Sequence, residues 1–383
     1  MDKADQIKHD ASNRDHSQQS PNVNQFLLLR SWNMITGSSA GNALVARLQK
    51  RAKIDVVSDD RFKEFNDLHC LVNLNKNMWV ASGVILGKYS QGLIDAENGQ
   101  VTPLCKKALH PYGIVTWKTI VALFNCNEKA VLLEIDGTNH VELLESKFYF
   151  KSRQAINGAH PQVLKPRVSK GYCIYNQHAY FMTRLGPVVY WNLDHTRSHA
   201  QETVAIALTD TSDIAVNKCG LYVKKADGTV WMYRRLSDNT WHAKYKYDVK
   251  HPALEGKDGG ETRNNIAGFP SGKIVTEHYI TNTKIDLIIL SQKLVKLDSK
   301  TLASDNLQPT HLKPIKVRSF EYCISVYAKQ RFDIFLVSRR LHLLHSHSSP
   351  QTEDSKLHYG IWAKDCDFII YGIGKYIHYK LTL

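Results

Sequence analysis

From residue 54 onward the chain consists of short runs of apolar and β-branched residues, separated by Gly, Asn, Asp and Lys. This pattern is typical of an all-β protein built from short strands. Seven segments each contain a β-branched strand followed closely by a second strand. They begin at residues 69, 112, 171, 213, 272, 321 and 358.

Three of these segments indicate a sequence repeat. Cys70, Cys173 and Cys323 occupy the same position in the similar strings HCLVNL, YCIYNQ and YCISVY. The Cys spacings of 103 and 150 residues are close to two and three times a period of about 50. Residues 54–383 therefore resemble a β-propeller of the broad WD-repeat-like superfamily. The resemblance implies seven blades of about 47 residues each, although the Gly-His and Trp-Asp signatures of WD repeats are missing.

A second resemblance concerns residues 220–241, which are similar to a tectonin-type blade with its DG turn and following aromatic residue. The third strands, as in GLIDAENGQ and VLLEIDGTNH, end where Asp with Gly or Asn supplies the positive φ of a tight turn. We interpret these Asp residues as structural rather than catalytic.

Closure of the ring should use both ends of the propeller, since an open sheet edge invites aggregation. The strand-like string KIDVV at 53–57 precedes the first blade, and GKYIHYKLTL at 374–383 is a strong terminal strand. We expect these two strands to pair.

The segment before the propeller divides in two. Residues 1–24 hold few large apolar side chains and are predicted to be a disordered polar tail. Residues 25–53 have apolar residues at three-and-four spacing on either side of GSSAG at 37–41, which predicts a leader of two short helices. The predicted propeller spans 54–383.

Charge and cysteine content narrow the class of partner and compartment. The formal charge of +14 suits nucleic acid, an anionic surface or an acidic protein, but the basic residues are scattered in short strings such as RLQKRAK at 47–53. Nucleic acid or an anionic surface is therefore only weakly supported.

Seven Cys without a CxxC pair favour free thiols and a cytoplasmic protein, with nuclear location or delivery into a host cell left open. No apolar run is long enough to span a bilayer.

Common devices of catalysis are absent from the sequence. It contains no HExxH, GxSxG, GxxxxGK[ST] or GxGxxG string, so no catalytic, metal or cofactor residue and no cofactor is predicted. In LHLLHSHSS, His345 and His347 share a strand face, and a loop-exposed cluster is expected there rather than a metal site. The Arg doublets 234–235 and 339–340 resemble the lipid-binding Arg pair of phosphoinositide-binding propellers, but each lacks the following Gly, and one Arg of each should point outward.

The function that we predict from these features is a non-catalytic scaffold that binds a protein partner through its loop faces. Two segments rich in Gly, Pro and charge, 151–170 and 248–272, are the expected recognition loops. A glycan-binding tectonin-like lectin and a propeller enzyme with its site at the channel mouth remain alternatives. Six residues are candidates for contacting the partner: Lys165, Arg167, Lys257, Arg263, Arg235 and Arg340.

Overall fold

Among the residues that the structure describes, seven four-stranded antiparallel sheets stand in a ring, so the fold is a seven-bladed β-propeller as predicted. The structure is a computed structural model. It describes residues 39–104, 111–125, 129–137, 139–147, 150–151, 163–164, 172–182, 188–193, 201–204, 211–237, 240–248, 265–281, 283–304, 311–328, 331–348, 358–372 and 374–383.

Helix α1 (Ser39–Arg51) precedes the strands. In chain order the strands are β1 (Lys53–Val57); β2 (Asp67–Asn73), β3 (Met78–Ile85), β4 (Lys88–Asp95), β5 (Val101–Pro103); β6 (Pro111–Trp117), β7 (Ile120–Asn125), β8 (Lys129–Asp136), β9 (Asn139–Lys147); β10 (Phe150–Lys151), β11 (Val163–Leu164); β12 (Tyr172–Tyr175), β13 (His178–Met182), β14 (Val188–Asn192), β15 (Gln201–Val204); β16 (Thr211–Asn217), β17 (Gly220–Lys225), β18 (Val230–Arg235), β19 (Trp241–Tyr247); β20 (Ile266–Gly268), β21 (Ile274–Thr281), β22 (Lys284–Leu290), β23 (Lys296–Ala303); β24 (His311–Val317), β25 (Phe320–Ala328), β26 (Arg331–Val337), β27 (Leu341–Ser348); β28 (His358–Lys364), β29 (Asp367–Gly372) and β30 (Lys375–Thr382).

Blades 1 to 6 each take four consecutive strands from the inside outward, beginning with β2, β6, β12, β16, β20 and β24. Blade 7 consists of β28, β29, β30 and β1. The innermost strands of successive blades contact each other around the ring, and β28 contacts β2. Strands β10 and β11 form a separate two-stranded sheet between blades 2 and 3.

The predicted closure is confirmed. Strand β1 pairs antiparallel with β30, from Lys53 opposite Thr382 to Val57 opposite His378. Ile54 packs on a core cluster that includes Tyr379 and Leu381, each 2% exposed. The first strand of the propeller therefore covers an edge that would otherwise be open.

Apolar cores lie between neighbouring blades, because each sheet is covered on both of its faces. Strand β3 is buried from Met78 to Gly83, and β29 is buried from Phe368 to Gly372. Such strands are nearly continuously apolar rather than alternating, as expected for sheets buried on both faces.

The repeat positions read from the sequence need one correction. Cys70 and Cys173 lie on the innermost strands of blades 1 and 3, whereas Cys323 lies on β25, the second strand of blade 6. The segments beginning at 272 and 321 are likewise second strands. The true inner strands were missed because β20 has three residues and β24, HLKPIKV, carries Lys and Pro.

The turns that close the third strands behave as predicted. Gly99 and Gly137 have φ values of 71° and 57°. The Asp95 carboxylate accepts a hydrogen bond from the Glu97 amide at 2.8 Å. Asp95 is thus a structural turn residue.

The connection from β1 to β2 contains a partly buried ion pair between blades 7 and 1. Arg61 donates through Nε to Asp59 at 2.8 Å and stacks over Trp79 at 4.7 Å, and His378 lies 3.1 Å from the same carboxylate. Burial raises the pKa of Asp59, but hydrogen bonds from Arg61 and His378 outweigh it and hold the pKa well below its usual range.

We expect Asp59→Asn to lower the free energy of unfolding by about 1–3 kcal/mol, because Arg61 loses its carboxylate partner. Since the folded pKa of Asp59 lies below the unfolded value near 4, this stabilisation is present above about pH 4 and is lost as the pH falls toward the folded pKa. Urea unfolding of both proteins at neutral and acid pH should show the difference shrinking in acid. An equal difference at both pH values would contradict this role.

The leader is seen in part. The second predicted helix corresponds to α1, which begins inside the GSSAG string at Ser39, while the first predicted helix and the tail at 1–24 lie outside the described residues. Within the described part of the chain, no helix has the length and apolar character required to cross a bilayer.

Candidate functional site

The ring has two faces that differ in their connections. We call the face where the innermost strands begin, as at Asp67 and Thr211, the upper face, and the face where they end, as at Asn73 and Asn217, the lower face. Residues 151–170 and 248–265 lie in the connections from β9 to β12 and from β19 to β20, and the blade strands at both ends of each connection meet it at the upper face. Residues 269–272 lie in the turn between β20 and β21, at the lower face.

Most of both predicted loops falls outside the described residues, including Lys165, Arg167, Lys257 and Arg263, and their role stays a prediction. Two parts of the loop prediction are wrong. Lys151 belongs to β10 and Val163–Leu164 form β11, so residues 151–170 are not loop throughout. Residues 265–272 are not loop throughout, because Ile266–Gly268 form β20, the innermost strand of blade 5.

The two remaining candidates lie on the lower face. Arg235 is the last residue of β18 and is half-buried. Arg340 is exposed in the turn between β26 and β27, where its amide donates to the Ser338 hydroxyl at 3.1 Å. Arg339 is exposed in the same turn, so the expectation that this doublet points to opposite faces of a strand is wrong.

Helix α1 lies beside the lower end of blades 6 and 7. Its apolar residues Val45 and Leu48 pack on the core cluster of these blades. Gln49 donates through Nε2 to the carbonyl of Leu343 on β27 at 2.7 Å. After the helix, Ala52 is buried and β1 begins at once, so the end of the helix is anchored on both sides.

A cleft of about 670 Å³ opens between the end of α1 and the lower end of the β1–β30 pair. Its walls are formed by Arg47, Lys50, Arg51, Lys53, Thr382 and Leu383. Arg47, Lys50 and Arg51 are spaced i, i+3 and i+4 and therefore share one face of the helix. Lys53 adds a fourth cation from the strand.

No acidic side chain lines the cleft beside these four cations. All four side chains are exposed, and none forms an ion pair with another of the residues that the structure describes. Asp55 is exposed two residues along β1 from Lys53 but does not line the cleft. The cleft is thus a site of concentrated positive charge on a fixed backbone.

A second polar cluster is buried between blades 4, 5 and 6. Lys224 on β17 is 0% exposed, and its Nζ donates to the Thr276 hydroxyl at 2.7 Å and to the Glu277 carbonyl. The Glu277 carboxylate, also 0% exposed, accepts from Asn265 at 2.9 Å. Burial lowers the pKa of Lys224 to about 7, against the opposing effect of the Glu277 and Asp213 carboxylates.

That cluster has the residue types of a proton-transfer site, but its side chains are buried away from solvent. Thr276 and Ser325 are no more than 1% exposed, so a substrate cannot reach Lys224 in this conformation. We therefore interpret the cluster as part of the core.

The histidine string is a strand rather than a loop, because β26 pairs with β27 as far as Ser348. His345 and His347 share a face as predicted, with stacked rings 6.4 Å apart, and His347 also stacks on Phe332. Over the described ranges, no three His, Cys, Asp or Glu side chains are placed to hold a metal ion. Cys70, Cys173, Cys219, Cys323 and Cys366 are free thiols.

Comparison with known proteins supports the fold alone. No protein-family model matches the chain, and no curated protein matches it in sequence. Three solved structures are similar in fold. Virginiamycin B lyase from Staphylococcus aureus has 9% identity and a TM-score of 0.56, covering 87% of this chain and 99% of that one. A chain of the mitotic checkpoint complex has 12% identity and a TM-score of 0.54, covering 86% and 91%. A chain of the S. cerevisiae complex of Dbp5 with Nup159, Gle1, IP6 and ADP has 8% identity and a TM-score of 0.53, covering 87% and 95%.

Sequence reasoning missed the cleft as a site, although the string RLQKRAK at 47–53 contains all four of its cations. The string alone does not show that the cations converge. Their convergence depends on the pairing of β1 with β30, which brings Lys53 beside Thr382.

Proposed function

We propose that this protein is a non-catalytic scaffold that binds a protein partner, and that the lower face beside α1 is a docking face. The observation that carries the proposal is the cleft with four exposed cations and no acidic side chain in its walls. Charge of one sign on a rigid surface favours encounter with a complementary partner. Arg340 is also exposed on the lower face, in the turn that precedes β27 of blade 6.

Two of the similar propellers are chains of multiprotein assemblies, namely the mitotic checkpoint complex and the complex of Dbp5 with Nup159 and Gle1. This agrees with a scaffold role, although the support for our proposal comes from the surface of this chain. The five cysteines among the described residues are free thiols, which agrees with the cytoplasm as the expected compartment.

The alternatives have less support. A tectonin-like lectin should repeat one polar and aromatic set between its blades, but Lys224 and Glu277 join blades 4 and 5 while the interface of blades 1 and 2 is an apolar cluster. An enzyme with its site at the channel mouth needs solvent-accessible side chains with shifted pKa values. Lys224, whose pKa is lowered, is fully buried.

Affinity capture with quantitative mass spectrometry, from cells that make the protein, tests the docking face. We expect Lys50→Glu with Lys53→Glu to reduce recovery of at least one partner about tenfold or more, because two attractive charges become repulsive. The matched control reverses the exposed Lys88 and Lys284 at the upper ends of β4 and β22 and should keep that partner. A partner lost only in the control variant would move the docking face to the upper side.

A further inference from the structure

The cleft beside α1 restricts the chemistry of what it can bind. Its volume of about 670 Å³ is in the range of about 300–1,000 Å³ that is typical of ligand clefts, so it suits a short segment rather than a folded domain. Thr382 and Leu383 line the cleft from the side of the β1–β30 pair.

The helix dipole accounts for the placement of only two of the four cations. Lys50 and Arg51 lie in the last turn of α1, where the negative end of the helix dipole stabilises a cation by about 0.3–1 kcal/mol. Arg47 lies one turn earlier, and its spacing to Lys50 and Arg51 places like charges together at a cost of a few tenths of a kcal/mol for each pair. Lys53 lies beyond the helix. A bound anion would relieve this repulsion.

The form of the anion follows from the groups that face it. The end of α1 presents carbonyl groups rather than N–H groups, so no backbone cradle for a compact anion such as phosphate exists there. Binding must come from the side-chain tips, and the guanidinium groups of Arg47 and Arg51 match carboxylates in a bidentate geometry.

Nucleic acid fits the cleft less well. Proteins that bind single strands combine cations with aromatic side chains on which bases stack. The six residues that line the cleft include no aromatic side chain, and its cations are confined to one short site rather than a stripe.

We propose that the cleft formed by Arg47, Lys50, Arg51 and Lys53 binds a short acidic segment, rich in Asp and Glu, of the partner protein. This rests on the proposed function, because the segment belongs to the partner that docks on the lower face. The Arg and Lys tips contact the carboxylates, and Leu383 contacts an apolar residue of the segment.

Fluorescence anisotropy with a labelled peptide of Glu and Leu, and its Gln counterpart, tests the proposal on the full chain. The Glu peptide should bind, and Lys50→Gln with Lys53→Gln should weaken it about tenfold, which corresponds to about 1.4 kcal/mol. The control Lys88→Gln with Lys284→Gln removes the same charge at the upper face and should change the affinity less than twofold. Circular dichroism and the melting temperature confirm that all variants fold.

The proposal would be overturned by equal weakening by both double variants, by tighter binding of a single-stranded oligonucleotide of matched charge, or by peptide binding that appears only after residues 1–24 are removed. The last result would mean that the tail of this chain occupies the cleft. If the peptide does not bind but the lower-face variant still loses its partner in the capture experiment, the acidic-segment inference fails while the docking face stands.

Discussion

A chain that lacks residues 1–57 is expected to melt at least about 10 °C below the full chain, or to aggregate when it is expressed. The truncation removes β1 and α1, so β30 becomes an open edge and Tyr379 and Leu381 lose part of their cover. Each large apolar side chain exposed in this way costs about 1.5–3 kcal/mol, and a domain is stable by only about 5–15 kcal/mol in total. Differential scanning calorimetry of the two chains gives the comparison.

Removal of residues 1–24 alone is the matched control and should leave the melting temperature within about 2 °C. A peptide spanning residues 39–57, added to the truncated chain, should restore part of the lost stability by pairing with β30. Melting of the 1–57 truncation at the temperature of the full chain would show that the ring does not depend on this closure.

Local patterns were sufficient to predict most of the blades, because strand and turn signals act within a few residues. Gly99 and Gly137 have the positive φ that the turn strings imply, and β1 pairs with β30 as the need to cover an edge requires. Local patterns do not predict a strand where local preference and final position differ. The inner strand β20 is too short to give a pattern, and it becomes a strand because β21 pairs with it and β24 contacts it.

In the candidate site, too, single residues could be selected from the sequence, but their arrangement depends on contacts between distant parts of the chain. Arg340 could be selected from the sequence and is exposed, but its doublet lies in a turn, where the alternation of a strand does not apply. The cleft joins residues 47–53 to residues 382–383, so only the closed ring reveals it. A basic string next to a predicted closing strand is the signal that could have identified it.

Lys224 is the residue whose environment was least predictable. It lies near the end of the string GLYVKK, where a pair of lysines normally indicates a solvated strand end. Its burial depends on the next blade, since Thr276 and Glu277 on β21 accept its hydrogen bonds. Nothing near Lys224 in the sequence contains that information.

This buried lysine should make the stability of the protein rise with pH in the alkaline range. In the unfolded chain Lys224 keeps its proton up to about pH 10.4, whereas burial lowers the folded pKa to about 7. Between these values the unfolded state binds more protons than the folded state, so the free energy of unfolding increases by about 1.4 kcal/mol per pH unit. Below about pH 7 both states are protonated and the contribution no longer changes.

The difference in unfolding free energy between the parent and Lys224→Met isolates this contribution, because the other titrating groups are shared. Urea unfolding at about pH 7.5 and about pH 9.5 should show the parent gaining about 2–3 kcal/mol on the variant. The control Lys284→Met, at an exposed position on β22, should show no such gain. If the parent and Lys224→Met differ by the same amount at both pH values, Lys224 stays protonated when buried, and the Glu277 and Asp213 carboxylates outweigh its loss of hydration.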